Sequence, residues 1–142
     1  MLVEVIRAVE ERQREALAGL RADPGEDPAE QSRRFWEHLR SPELAPQERL
    51  FFEVYGQALQ GRPWAQPLLD GVVEDWVGPV AEMLIADGAP PESARIIARL
   101  SVAVSRGLLL DVLANGDDEE VDAAMAYFSR LLLRDVEAGG HD

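Results

Sequence analysis

Apolar positions spaced three and four residues apart recur along almost the whole chain, and no stretch alternates strictly, so the pattern predicts helices throughout. The strongest signal covers residues 94–113. One stripe runs through Ile96, Leu100, Ala103, Gly107, Leu110 and Ala114, and an offset one through Ile97, Val104, Leu108 and Val112. Two adjoining stripes make an apolar arc wider than an ordinary surface helix carries, so this helix is expected to be covered on two sides. A membrane span is a poor reading of the same residues, because Arg95, Arg99, Arg106 and Asp111 would each cost about 2.5 to 3.5 kcal/mol at the bilayer centre. Ala103 and Gly107 keep the first stripe thin enough for another backbone to come close. The pattern fits a central helix of a monomeric bundle and a subunit interface equally well.

The remaining elements are arranged around this one. A first helix is predicted over residues 2–22, with Leu2, Val5 or Ile6, Val9, Gln13, Ala16, Leu17 and Leu20 on one side. It starts without an N-cap residue, as expected of a helix continuing from a preceding segment. Asp27, Pro28 and Glu30 provide an N-cap, a first-position proline and a capping-box acid for a second helix to about residue 40, which turns Phe35, Trp36 and Leu39 inward. A third begins at Pro42 or Pro46 and runs to residue 60 with Leu50, Phe51, Val54, Tyr55, Ala58 and Leu59 on its apolar side. A long fourth helix is predicted over residues 64–87, kinked just after Trp76 because Pro79 cannot donate to the Asp75 carbonyl. Gly88, Pro90 and Pro91 set the turn into the central helix. Asn115 and Gly116 cap it, and Asp117 with Glu120 offers a capping box to a sixth helix carrying Val121, Ala124, Met125, Phe128, Leu131 and Leu132 inward. Six helices and no convincing strand predict an all-α bundle.

Composition narrows the function classes. The 142 residues suffice for one domain with a single core. Without cysteine there are no disulfides or thiolate metal sites, and a cytoplasmic location is expected. The formal charge of −13, with all fourteen basic residues being dispersed arginines, would be repelled by a phosphate backbone, so this chain alone should not bind DNA or RNA. No catalytic constellation stands out: there is no His-Glu-x-x-His, no Glu-x-x-His and no glycine-rich phosphate loop, and no serine has a histidine at a suggestive spacing. The acidic run 117–122 is explained as a helix N-terminus stabilised by the macrodipole. An enzyme is therefore not expected, and neither a cofactor nor a metal is called for. Seven of the nine aromatic residues (Phe35, Trp36, Phe51, Phe52, Tyr55, Trp64 and Trp76) fall between the second and fourth helices, which suggests either an ordinary aromatic core or an aromatic-lined cavity able to hold a ligand. Arg95, Arg99 and Arg106 share a face of the central helix, where partners among the acids of a neighbouring helix are expected, with Arg106 the exception that could reach a ligand.

The segment 49–59 (Arg-Leu-Phe-Phe-Glu-Val-Tyr-Gly-Gln-Ala-Leu), the run Glu74-Asp75-Trp76-Val77-Gly78-Pro79, and above all residues 98–117 resemble the C-terminal regulatory domain of tetracycline-repressor-like (TetR family) bacterial transcriptional regulators. The resemblance spans nearly the whole chain and implies a six-helix bundle without the N-terminal helix-turn-helix head that would contact DNA. It further implies a pocket for a small, mostly apolar effector walled by the first five helices, and a homodimer whose four-helix bundle comes from the last two. On this reading Phe35, Trp36, Phe51, Tyr55, Trp76 and Arg106 are the candidate ligand residues, beside the Pro79 kink. Leu100, Ala103, Gly107 and Leu110 with Val121, Phe128 and Leu132 are the candidate dimer seam. Effector binding would act by population shift, favouring one placement of the first helix against the kinked fourth. The rival readings are a standalone all-α dimerisation module that senses nothing, and an uncharacterised all-α enzyme.

Overall fold

In the computed structural model, which describes residues 2–116 and 118–139 with side chains through Asp135, helices begin where the sequence supplies caps and prolines. The elements are α1 (Leu2–Arg21), α2 (Pro28–Leu39), α3 (Ala45–Leu59), a single 3-10 turn (Gln66–Leu69), α4 (Glu74–Ala86), α5 (Pro91–Asn115) and α6 (Asp118–Gly139). No strand occurs among the described residues, so the chain is all-α. None of its described helices is long and apolar enough to cross a membrane. The helices fall into two compact units, Met1–Val72 and Val73–Asp142.

Local chemistry accounts for most of the boundaries. Asp27 caps α2, its carboxylate accepting from the Ala29 N–H at 3.2 Å, and Pro28 fills the first helical position. Glu30 departs from the expected capping box. Its carboxylate pairs with Arg33, which also reaches Glu37, and the guanidinium holds the Glu30 carboxyl below the usual glutamate range. The start of the third helix is settled at Ala45, which puts Pro46 in its first turn. Gly116, in the left-handed conformation at φ 71°, closes α5 by donating its N–H to the Val112 carbonyl at 2.8 Å. Asp117, the expected cap of α6, lies outside the described residues.

The long fourth helix over residues 64–87 is not formed. Residues 66–69 make the 3-10 turn, Asp70 is extended at ψ 111°, and Gly71 takes φ 78°, so α4 begins only at Glu74. The apolar spacing of Leu68, Leu69, Val72 and Val73 suits a turn as well as a helix, and the left-handed glycine breaks the continuity. Gly71→Ala is expected to cost about 1 to 2 kcal/mol, the penalty of a Cβ in that conformation, with Gly71→Asn costing less. Chemical denaturation of the three proteins compares them directly. Pro79 lies inside α4.

In the first unit the core comprises Val3 and Ile6 of α1, Phe51, Val54 and Ala58 of α3, and Ala65 and Leu68 around the 3-10 turn. Arg7 fastens α1 to that turn by donating to the Pro67 carbonyl and, at 3.3 Å, to the Asp70 carbonyl. Gln31, buried on α2, secures the loop before it, donating Nε2 to the Asp23 carbonyl at 2.9 Å and accepting from Arg21 at 3.4 Å. The core of the second unit is built from small residues: Val77 and Ala81 of α4, Ala89 in the turn, and Ala94 and Ala98 of α5. Alanines at a helix contact allow close approach of the two axes.

Candidate functional site

Two features, one in each unit, are candidates. In the first unit α1 and α3 flank a cleft of about 170 Å³. Val5, Ile6 and Val9 from α1 and Leu50 and Phe51 from α3 give it an apolar lining, and Glu10, Arg12, Gln47 and Glu48 supply polar groups. Glu48 and Gln13 are each only 5% exposed, and Gln13 donates its Nε2–H to Glu48 Oε1 at 2.6 Å. Gln13 lies on the inward stripe of α1, one turn beyond Val9, and Glu48 lies one turn before Phe51 on α3. A carboxylate removed from water is costly unless it is hydrogen-bonded, so this contact sets the register of α1 on α3 as well as the polarity of one cleft wall.

Of the ligand residues expected from the sequence, Phe51 lines this cleft. Its ring meets Tyr55 edge-on at 5.6 Å and Phe52 at 5.2 Å, so Phe51 and Tyr55 are brought together. On α2, Trp36 is buried and Phe35 is half-buried, its ring 6.4 Å from that of His38. Neither borders the cleft. Trp76 and Arg106 belong to the second unit, Trp76 buried in the first turn of α4 and Arg106 half-buried on α5. The buried pair of Gln13 and Glu48, of which Glu48 lines the cleft, was not among the expected residues. Its only trace in the sequence is a glutamine on an apolar stripe.

In the second unit the two stripes of α5 have different fates. Ile97 of the offset stripe is buried, and Val104, Leu108 and Val112 are half-buried. The first stripe is open from end to end: Ile96 is 64%, Leu100 50% and Leu110 47% exposed, with Ala103, Gly107 and Ala114 exposed between and beyond them. On α6, Ala124, Tyr127 and Leu131 are exposed at helical spacing, Tyr127 being 59% exposed. Of the residues proposed for α6, Val121 is buried within its own chain, while Phe128 and Leu132 are half-buried. Ala124 and Leu131, expected to face inward, are exposed instead, with Tyr127 an additional outward residue at the same helical spacing.

The expected pairing of the central-helix arginines is realised at Arg95, whose guanidinium donates to both carboxylate oxygens of Glu74 at 2.7 and 3.0 Å. This hydrogen bond holds the Glu74 carboxyl below the ordinary glutamate range, with Arg95 and Arg99 adding Coulombic support. A lowered folded-state value makes the pair stabilising above the unfolded glutamate range, and the contribution fades as pH falls through the lowered value. Both side chains are more than half exposed, so solvent screens the gain. Glu74→Gln is expected to leave the denaturation midpoint at neutral pH within measurement error, whereas an NMR titration of Glu74 should show its lowered ionisation reverting toward the ordinary range in Arg95→Gln.

Among the described residues no cluster of three or more histidine, aspartate or glutamate side chains is placed to hold a metal ion. Compared with known proteins, the chain matches no family model, no curated protein and no solved structure.

Proposed function

We propose that this chain is the effector-sensing and homodimerisation part of a TetR-like bacterial transcriptional regulator, non-enzymatic, which reaches DNA only through a helix-turn-helix head that is not part of it. The observation that carries the reading is the uncovered apolar stripe of α5, Ile96–Leu100–Ala103–Gly107–Leu110. Isolated exposed leucines are ordinary, but an apolar stripe exposed over five successive helical steps of one helix marks an association surface. A two-fold axis through it would form a four-helix bundle, and such isologous interfaces bury on the order of 1,200 to 2,000 Å² or more. The cleft between α1 and α3 supports the sensing half of the reading. A small molecule bound there would act by its differential affinity for alternative placements of α1.

Light scattering coupled to gel filtration at tens of micromolar tests dimerisation, with twice the chain mass expected and a monomer counting against the reading. An electrophoretic shift assay is expected to show no binding of duplex DNA at physiological salt, given the charge of −13. The second reading, a dimerisation module without sensing, is favoured by the modest cleft: about 170 Å³ is below the roughly 300 to 1,000 Å³ of drug-sized ligand sites. The two readings part on whether any small molecule binds the first unit.

A further inference from the structure

We propose that the α1–α3 cleft is a size-limited site for an uncharged hydrocarbon of one ring, such as benzene or toluene. The inference rests on the sensing reading and gives its ligand a chemical class and an upper size. A dry cavity of roughly 150 Å³ accepts benzene, and this cleft holds about 170 Å³. Its apolar lining grades from the buried Ile6 and Phe51 through the half-buried Val9 and Leu50 to the exposed Val5, so a ring that enters exchanges water for aliphatic and aromatic contact.

The polar part of the lining argues against a charged ligand. Glu10 and Glu48 are both engaged within the chain, Glu48 in part by the Gln13 amide at 2.6 Å, so neither is on offer to a ligand cation. The same two carboxylates and the −13 charge of the chain repel an anion. Arg12, the cation of the lining, is exposed, where water and salt screen it. An uncharged molecule meets neither obstacle. The limit on size comes from how α1 is held. Arg7 donates to the carbonyls of Pro67 and Asp70 and Gln13 donates to Glu48, so α1 is fastened on both sides of the lining residues Val9, Glu10 and Arg12. Widening the cleft for a second ring would strain these contacts, whereas one ring leaves them in place. A molecule that fits only between the fastened helices favours that placement of α1, the differential affinity on which sensing depends.

The test titrates toluene, benzylammonium, benzoate and the two-ring indole into the uniformly labelled full chain, followed by NMR at the methyl groups of Val5, Ile6, Val9 and Leu50 and the backbone amides of residues 47–51. Toluene is expected to give saturable shifts there. Both charged probes should bind at least about tenfold more weakly, since each must bring an unpaired charge out of water. Indole should also be at least about tenfold weaker, because its second ring overfills the space. Val9→Phe, which puts a ring into the cleft from α1, should abolish the toluene shifts. Either charged probe binding as tightly as toluene overturns the inference and leaves sensing of a charged ligand standing. Indole binding as tightly as toluene, or more so, would mark an open apolar face in place of a bounded site and also overturns it. A folded Val9→Phe chain that still binds toluene places the hydrocarbon elsewhere, with the same consequence. Absence of saturable shifts from all four probes removes both the site and sensing at this cleft. The probe comparison uses wild-type protein alone, so it decides even where Val9→Phe fails to fold.

Discussion

Phe51→Ala is expected to destabilise the first unit by about 3 to 5 kcal/mol, the range for deleting a buried aromatic ring that the surroundings do not refill. Phe51 is only 5% exposed, belongs to the core with Val3, Ile6, Val54 and Ala58, and meets Phe52 and Tyr55 edge-on. Its removal strips the core of both its burial and these ring contacts. Because the ring also lines the cleft, the substitution enlarges that space, which limits how far the neighbours can collapse into it. Domains are stable by only about 5 to 15 kcal/mol, so this loss is a large fraction of the total. With two compact units, a single unfolding transition cannot be assumed. Hydrogen exchange resolves the effect by element: protection of α3 amides should fall by orders of magnitude. Phe52→Ala, at a half-buried position, should cost distinctly less, and Leu59→Ala, at a residue 67% exposed, almost nothing. Equal losses at Phe51 and Phe52 would contradict the placement of the core.

The helix inventory was legible because its signals are local. Asp27 and Pro28 start α2, Gly116 ends α5, and the spacing of Val54 and Ala58 finds the inner face of α3, all without knowledge of any neighbour. The failure over residues 64–87 is local too. Leu68, Leu69, Val72 and Val73 kept a helical rhythm through a turn, and Gly71 in a left-handed conformation carried more weight than the rhythm. The candidate sites were less legible, since they depend on tertiary pairing. Gln13 was visible as a polar residue on an apolar stripe, but its partner Glu48 stands 35 residues away, and no spacing rule connects them. Aromatic abundance between α2 and α4 likewise does not tell which ring borders a cleft. On α6 the expected seam was centred on Phe128 and Leu132, each one position past Tyr127 and Leu131. One residue is about 100° of helix rotation, enough to separate the half-buried side of this helix from its open side.

The double substitution Leu100→Glu with Leu110→Glu is expected to convert the proposed dimer to a monomer at tens of micromolar, raising its dissociation constant at least about a thousandfold. Both leucines are about half exposed in the single chain, so glutamate there costs the fold little. In a two-fold assembly each change occurs twice and brings like charges into an apolar, poorly hydrated contact. Gly107 provides a subtler probe of the same surface. A Cβ built on it meets nothing within 4 Å in the single chain, so Gly107→Leu should not disturb the fold. It should instead stabilise α5, by up to about 0.8 kcal/mol, through the better helix propensity of leucine. If two backbones approach closely at Ala103 and Gly107, that same side chain overpacks the seam and weakens association. The variant is therefore expected to raise the stability of the dissociated chain while lowering its affinity for a second copy, opposite signs that misfolding cannot produce. Sedimentation equilibrium and thermal unfolding at low protein concentration measure the two effects separately. A Gly107→Leu chain that dimerises as tightly as wild type would remove this glycine from the centre of the interface, and a double glutamate variant that still dimerises would place the interface elsewhere on the chain.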